Sequence, residues 1–92
     1  MDAVKKLPFV TSEGDTLNLW AVKNTGSWGH DNKVGRAHGE ACLKYMTAEN
    51  NPAMLFAIVD TIVRRAEPMD GIECGFMQTI AEAAILGSSR LR

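Results

Sequence analysis

Two prolines, with polar residues beside them, divide the last two-thirds of the chain into segments with a helical pattern. Asn51 followed by Pro52 suits the N-cap and the first position of a helix. Asp70 comes shortly after Pro68 and has, together with Glu73, the form of a capping box. Apolar residues recur with a helical period between these breaks. We therefore predict three helices, over residues of about 31–47, 52–67 and 71–87.

The first predicted helix has one broad apolar face. Asp31 or Asn32 is expected to cap its start. On a helical wheel drawn from Val34, at about 100° per residue, the residues of one arc are mostly apolar. That arc holds Val34, Ala37, His38, Ala41, Cys42, Tyr45 and Met46.

Pairs of glycines four residues apart occur in the first and third predicted helices. They are Gly35 with Gly39, and Gly71 with Gly75. A glycine inside a helix costs up to about 1 kcal/mol relative to alanine, so close approach of another element is the expected compensation. The spacing is diagnostic only in membranes, and no apolar run here reaches the ~18 residues of a membrane span. We predict tight helix packing at these glycines and no catalytic role for them.

The second and third predicted helices carry more apolar surface than a short chain can easily cover. A helix as widely apolar as the third is normally packed on more than one side, by neighbouring helices or by a subunit interface. Gly87 is expected to be its C-cap. The predicted polar stripe of the third helix is Gly75, Gln78, Thr79 and Glu82. The predicted apolar arc of the second is Leu55, Phe56, Ile58, Val59, Ile62, Val63 and Ala66.

Residues 7–23 fit two local structures. Leu17 and Leu19 alternate with Asn18, which is typical of a strand. Leu17 also shares a helical face with Trp20, and Asp15 could cap a helix there. We favour an irregular or short β-hairpin segment. The expected fold is thus mainly α, a single three-helix domain over residues 1–92 with this segment at its N-terminal end.

Charge and cysteine content limit the classes of partner and the cellular compartment that we expect for this chain. The chain has ten Lys and Arg against eleven Asp and Glu, so it lacks the basic footprint of a nucleic-acid-binding protein. No basic amphipathic helix points to a membrane surface. No apolar signal segment follows the first residues, and Cys42 and Cys74 form no CxxC pair. We expect a cytoplasmic protein with reduced thiols, no membrane partner and no nucleic acid.

His38 and Cys42 form the pattern in this sequence that most resembles a metal-binding motif. Their i, i+4 spacing places both side chains on one helical face, which is half of a zinc site. A zinc motif has two such close ligand pairs, and this sequence has one. We predict no metal and no cofactor, and keep His38 and Cys42 only as metal candidates. The alternative is that both are core residues.

Five residues are candidates for a ligand site or a protein interface. Trp28 and His30 lie in a polar and aromatic loop before the first helix, a place where binding residues are common. Aromatic side chains are also enriched in interface cores. A Trp28 side chain folded over the core is the alternative interpretation. The five candidates are Trp20, Trp28, His30, His38 and Tyr45.

No catalytic motif is present, so we do not expect an enzyme. The first hypothesis is a small protein-interaction module that self-associates, with a homodimer expected. The alternative is a small-ligand or metal-binding domain centred on His30, His38 and Cys42. A third hypothesis, a nucleic-acid-associated regulator, conflicts with the even charge balance.

Overall fold

The computed structural model describes residues 3–88. It confirms the predicted mainly α fold, with three helices and an N-terminal two-stranded hairpin. None of the helices described over residues 3–88 is long and apolar enough to cross a lipid bilayer. The elements are a 3-10 turn at Val4–Lys6, strands β1 (Thr11–Glu13) and β2 (Thr16–Asn18), and helices α1 (Trp28–Glu49), α2 (Ala53–Arg64) and α3 (Gly71–Gly87).

The described chain divides into two compact units, and α1 contributes its first part, to Glu40, to one and its last part, from Ala41, to the other. The hairpin unit holds the chain up to Lys23 and the segment Ala41–Pro68. The glycine unit holds Asn24–Glu40 and the chain from Met69 onward. The single domain over 1–92 stays a prediction.

The hairpin of the hairpin unit is tight and antiparallel. Thr11 pairs with Asn18, and Glu13 pairs with Thr16. Gly14 takes a φ of 65° in the two-residue turn, a backbone region that glycine enters without steric cost. The Asn18 side chain donates to the Glu13 carboxylate at 3.0 Å. The strand interpretation of residues 16–18 is therefore confirmed over the helical one.

An aromatic pair, Phe9 and Trp20, lies in the core of the hairpin unit. The rings of Phe9 and Trp20 lie 5.3 Å apart at 54°, a tilted arrangement that aromatic pairs favour. The Ala21 amide donates to the Phe9 carbonyl at 2.7 Å and ties the two segments together. The other buried apolar residues of this unit are Val4, Leu7, Val10, Cys42, Ile58 and Ile62.

Helix α1 continues two residues beyond its predicted end and closes in a Schellman motif. Asn50 has a φ of 50°, a left-handed conformation that asparagine tolerates better than most residues. The Asn50 amide donates to the Thr47 carbonyl at 3.4 Å, and the Asn51 amide to the Met46 carbonyl at 3.0 Å. This pair of bonds satisfies carbonyls that the helix end would otherwise leave open.

The prediction that Asn51 caps α2 is wrong. The N-cap is Pro52, in a helical conformation and with no side-chain cap bond. The Asn51 backbone is already engaged in closing α1, because its amide completes the Schellman motif. At the other end, α2 stops at Arg64, three residues before the prediction, and Ala66 takes a φ of 56°.

The prediction that Asp31 or Asn32 caps α1 is also wrong. The helix begins three residues earlier, at Trp28, and the Asp31 amide donates to the Ser27 carbonyl at 2.9 Å. The Asp31 carboxylate accepts from the Thr25 amide at 3.0 Å and from the Thr25 hydroxyl at 2.9 Å. Asp31 thus holds the preceding loop against the first turn of α1.

The glycine unit is built on a close crossing of α1 and α3. A Cβ added at Gly35 would lie 1.9 Å from the Ile72 carbonyl oxygen. One added at Gly75 would lie 2.1 Å from the Asn32 carbonyl oxygen. Both distances are far below any van der Waals contact, so the two backbones touch. The predicted tight packing at these glycines is confirmed.

The polar stripe predicted for α3 is only half correct. Gly75 and Thr79 are buried, because the glycine crossing places them against α1. Gln78 and Glu82 are exposed as expected. Gly87 is not a cap, because the helix runs through it to a C-cap at Ser88.

Gly35→Ala tests the backbone contact. The added methyl would collide with a backbone carbonyl, so the helices must separate. We expect the free energy of unfolding to fall by about 1–3 kcal/mol. The measurement is urea denaturation followed by circular dichroism.

Gly29→Ala is the matched control in the same helix. A Cβ at position 29 meets nothing within 4 Å. Alanine has a higher helix propensity than glycine, so we expect the free energy of unfolding to stay unchanged or rise slightly. Equal effects of the two substitutions would contradict the close crossing.

Candidate functional site

The predicted site residues are divided between the two units. Trp20, Tyr45 and Cys42 belong to the hairpin unit. Trp28, His30 and His38 belong to the glycine unit. Neither unit therefore holds the predicted group of His30, His38 and Cys42 complete.

Trp20 has a structural role. Its side chain is only 2% exposed and its ring packs against Phe9. A ligand or a protein partner needs accessible surface, which Trp20 does not offer. The aromatic character that made Trp20 an interface candidate serves the core of the hairpin unit.

Trp28 lines a small cleft at the helix starts of the glycine unit. The cleft has a volume of about 140 Å³, and Trp28 is 58% exposed beside it. His30 is exposed but is not among the lining residues. The lining residues are Asn24, Gly26, Trp28, Asp31, Asp70 and Gly71.

The two carboxylates of this cleft hold the local structure. Asp70 accepts from the Ile72 amide at 2.9 Å and from the Asn24 side chain at 2.8 Å. The Glu73 carboxylate completes the capping box, because it accepts from the Asp70 amide at 3.0 Å. The predicted capping box is therefore confirmed. Asp31 is bound to Thr25. These contacts account for both carboxylates without a ligand.

Hydrogen bonding outweighs burial at Asp70. Partial burial opposes ionisation of the carboxyl group. The donors from Asn24, Glu73 and Ile72 favour the charged form and leave the pKa of Asp70 below its ordinary value. The charged carboxylate is therefore the form that stabilises the start of α3.

His38 and Cys42 have surroundings that disfavour their charged forms. Burial lowers the pKa of His38, so its imidazole is neutral near pH 7. Burial raises the pKa of the Cys42 thiol to about 11. The thiolate form of cysteine, and not the thiol, binds metals and acts as a nucleophile. Little thiolate forms near neutral pH at such a pKa. Among the residues that the structure describes, no three His, Cys, Asp or Glu side chains group in a way that could hold a metal ion.

Tyr45 lines the larger pocket, which lies in the hairpin unit. Its volume is about 390 Å³. The 3-10 turn, the hairpin, the last turns of α1 and the first turn of α2 each supply a wall. The lining residues are Val4, Leu17, Leu19, Tyr45, Asn51 and Met54. The sequence indicated Tyr45. The other five lining residues belong to separate segments, and no single periodic pattern connects them all with Tyr45.

The outer face of α2 exposes large apolar side chains. Phe56 is 75% exposed and Val63 is 64% exposed. Both were expected in the apolar arc of this helix, whereas Ile58 and Ile62 alone among its residues are fully buried. The exposed pair lies at i, i+7 and therefore on one side of the helix. Asp60 and Arg64 lie beside it and form an ion pair at 2.7 Å.

Comparisons with known proteins identify no relative. No family model, curated protein or solved structure matches this chain. Function is therefore inferred from the pocket, the cleft and the exposed helix face themselves.

Asp70→Asn tests the electrostatics of the helix cap. Asparagine also caps helices, so stability near pH 7 should change little. A carboxyl group with a lowered folded pKa stabilises the fold above its unfolded pKa, about 3.9. That stability is lost as pH falls through the folded pKa. Between about pH 5 and pH 3, we expect wild type to lose more unfolding free energy than the variant.

Denaturation curves collected across this pH range provide the measurement. Asn24→Ala removes one donor to the Asp70 carboxylate, so its pH dependence should lie between those of wild type and Asp70→Asn. Identical pH dependence in all three proteins would refute the assignment.

Thiol reactivity tests the burial of Cys42. In Cys74→Ala protein, which retains Cys42, Ellman's reagent should react only after denaturation, because Cys42 is fully buried with a pKa of about 11. In Cys42→Ala protein, the half-buried Cys74 should react under native conditions. The absorbance change gives both rates. Fast native labelling of Cys42 would contradict this environment.

Proposed function

We propose that this protein is a small protein-interaction module that self-associates, forming a homodimer through the outer face of α2. The proposal rests on the exposure of Phe56 and Val63 on one side of that helix. Covering apolar surface is favourable by about 25 cal/mol per Å². A large aromatic ring left mostly in water is therefore a natural anchor for a partner.

The spacing of the two apolar residues suits a second copy of the same helix. Consider two α2 helices running antiparallel about a two-fold axis between Val59 and Asp60. Phe56 of one copy then lies opposite Val63 of the other, and the same contact occurs twice. Such a self-complementary patch is what a two-fold interface requires.

The charges on this face support the same partner. Arg64 donates to the Asp60 carboxylate at 2.7 Å within one chain, so the face carries no net charge from this pair. Two copies can approach without mutual repulsion. The pair also lies at the side of the apolar stripe, where an interface rim is polar.

The size of the face indicates a weak dimer. Helix α2 has twelve residues, which corresponds to a length of about 18 Å. A standard interface buries about 800 Å² per partner, more than one short helix face supplies. We expect an association that depends on protein concentration in the range of transient complexes.

The proposal involves no catalysis and places the protein in the cytoplasm. Cys42 and Cys74 are both free thiols, which supports a reducing compartment. No cofactor is needed for the proposed association.

Sedimentation equilibrium with Phe56→Ser tests the dimer. Wild type should approach the mass of two chains as its concentration rises, and Phe56→Ser should keep the mass of one. The side chain is mostly exposed, so the change should affect the free energy of unfolding by about 0.5 kcal/mol or less.

Ile85→Ser is the matched control, because Ile85 is an equally exposed apolar residue on α3. It should leave the mass distribution of wild type unchanged. A wild-type protein that stays monomeric at the highest concentration would refute self-association. Loss of the dimer in the control alone would refute the assignment to α2.

A further inference from the structure

The pocket of the hairpin unit has walls that suit an apolar molecule. Val4, Leu17, Leu19 and Met54 contribute aliphatic or thioether surface, and the volume is about 390 Å³. Small-molecule sites fall in the range of about 300–1,000 Å³. An apolar cavity of about 150 Å³ is already enough to hold benzene. The pocket therefore has room for a single ring with a substituent.

Two residues with polar side chains, Tyr45 and Asn51, line the same space. Within the part of the chain that the structure describes, the Tyr45 hydroxyl and the Asn51 side-chain amide make no hydrogen bond to another residue. A phenol can donate or accept, and an amide can do both. An apolar pocket with a few polar groups of this kind is the usual composition of a ligand site, in which those groups orient the ligand.

The pocket walls also restrict the charge of the ligand. None of the six lining residues is Asp, Glu, Lys, Arg or His. An ionic group placed there would lose hydration without gaining a counter-charge, which is costly. A neutral molecule has no such penalty.

We propose that this pocket binds a neutral small molecule consisting of an apolar ring or branched chain and one carbonyl or hydroxyl group. The apolar part packs against Val4, Leu17, Leu19 and Met54. The oxygen lies within reach of Tyr45 and Asn51, which exchange hydrogen bonds with it. The four apolar walls set affinity, and the two polar groups set selectivity.

This site is independent of the proposed dimer interface. Met54 and Phe56 are two residues apart on α2, which places their side chains about 200° apart around the helix. Met54 contributes to the pocket, while Phe56 is on the exposed face. Loss of ligand binding therefore need not affect dimer formation, and loss of the dimer need not affect ligand binding.

Methyl NMR with two matched probes tests the proposal. Benzyl alcohol has a ring and one hydroxyl, and toluene has the same ring without it. Titration of the full chain with benzyl alcohol should produce saturable shifts of the methyl signals of Val4, Leu17, Leu19 and Met54. Toluene should shift the same signals with an affinity about 25-fold weaker, the loss expected for the two hydrogen bonds that its missing hydroxyl would make.

Tyr45→Phe separates hydrogen bonding from packing. The variant keeps the ring and loses the hydroxyl, so benzyl alcohol should bind about fivefold more weakly while toluene affinity is unchanged. Asn51→Ala provides a second test with the same expectation. Lys44→Ala, an exposed neighbour outside the pocket, should change neither affinity.

Three results would overturn the proposal. The first is an absence of saturable shifts with benzyl alcohol, or shifts spread evenly over the molecule. The second is equal binding of both probes that neither Tyr45→Phe nor Asn51→Ala alters. The third is benzylammonium binding as tightly as benzyl alcohol, since a cation should be rejected.

Discussion

Direct contact between the backbones of α1 and α3 is the constraint on which the glycine unit depends. Gly35, Gly39 and Gly75 lack the Cβ atoms that would hold the two helices apart. Glycine lowers helix propensity, and the close approach compensates through dispersion contacts over many atoms. The Asn32 side chain donates to Gln78 at 3.2 Å, and Arg36 pairs with Glu82 at 3.3 Å. From the first pair to the second, the position moves four residues forward in α1 and also four residues forward in α3. The two helices therefore run in the same direction here.

The hairpin unit depends on a different interaction, the packing of Phe9 against Trp20. This pair closes the N-terminal segment on itself and leaves Leu17 only partly covered. The partly covered residues become walls of the pocket, and Tyr45 supplies a polar group beside them. The apolar concavity and the exposed apolar helix face both belong to this unit. They are the physical basis for the proposed ligand site and the proposed dimer.

The candidate site was only partly predictable. Tyr45 was identified for its aromatic character, which is a property of one residue. The pocket around it requires Val4, Leu19 and Met54 to meet, and these lie too far apart in the chain for any periodic pattern to connect them. Trp20 shows the opposite case, because the same aromatic character led to a buried position. Residue type indicates the capacity for binding, whereas accessibility depends on what packs above the side chain.

The sequence by itself determined the three helices, the capping box of Asp70 and Glu73, and the close packing at the paired glycines. These features depend on residues within about four positions of each other, where helical geometry alone fixes their relation. Tertiary structure decided the burial of Thr79 and the exposure of Phe56. Each of these depends on whether a segment beyond that range covers the side chain. Periodicity specifies which residues share a face, but only packing specifies which face is covered.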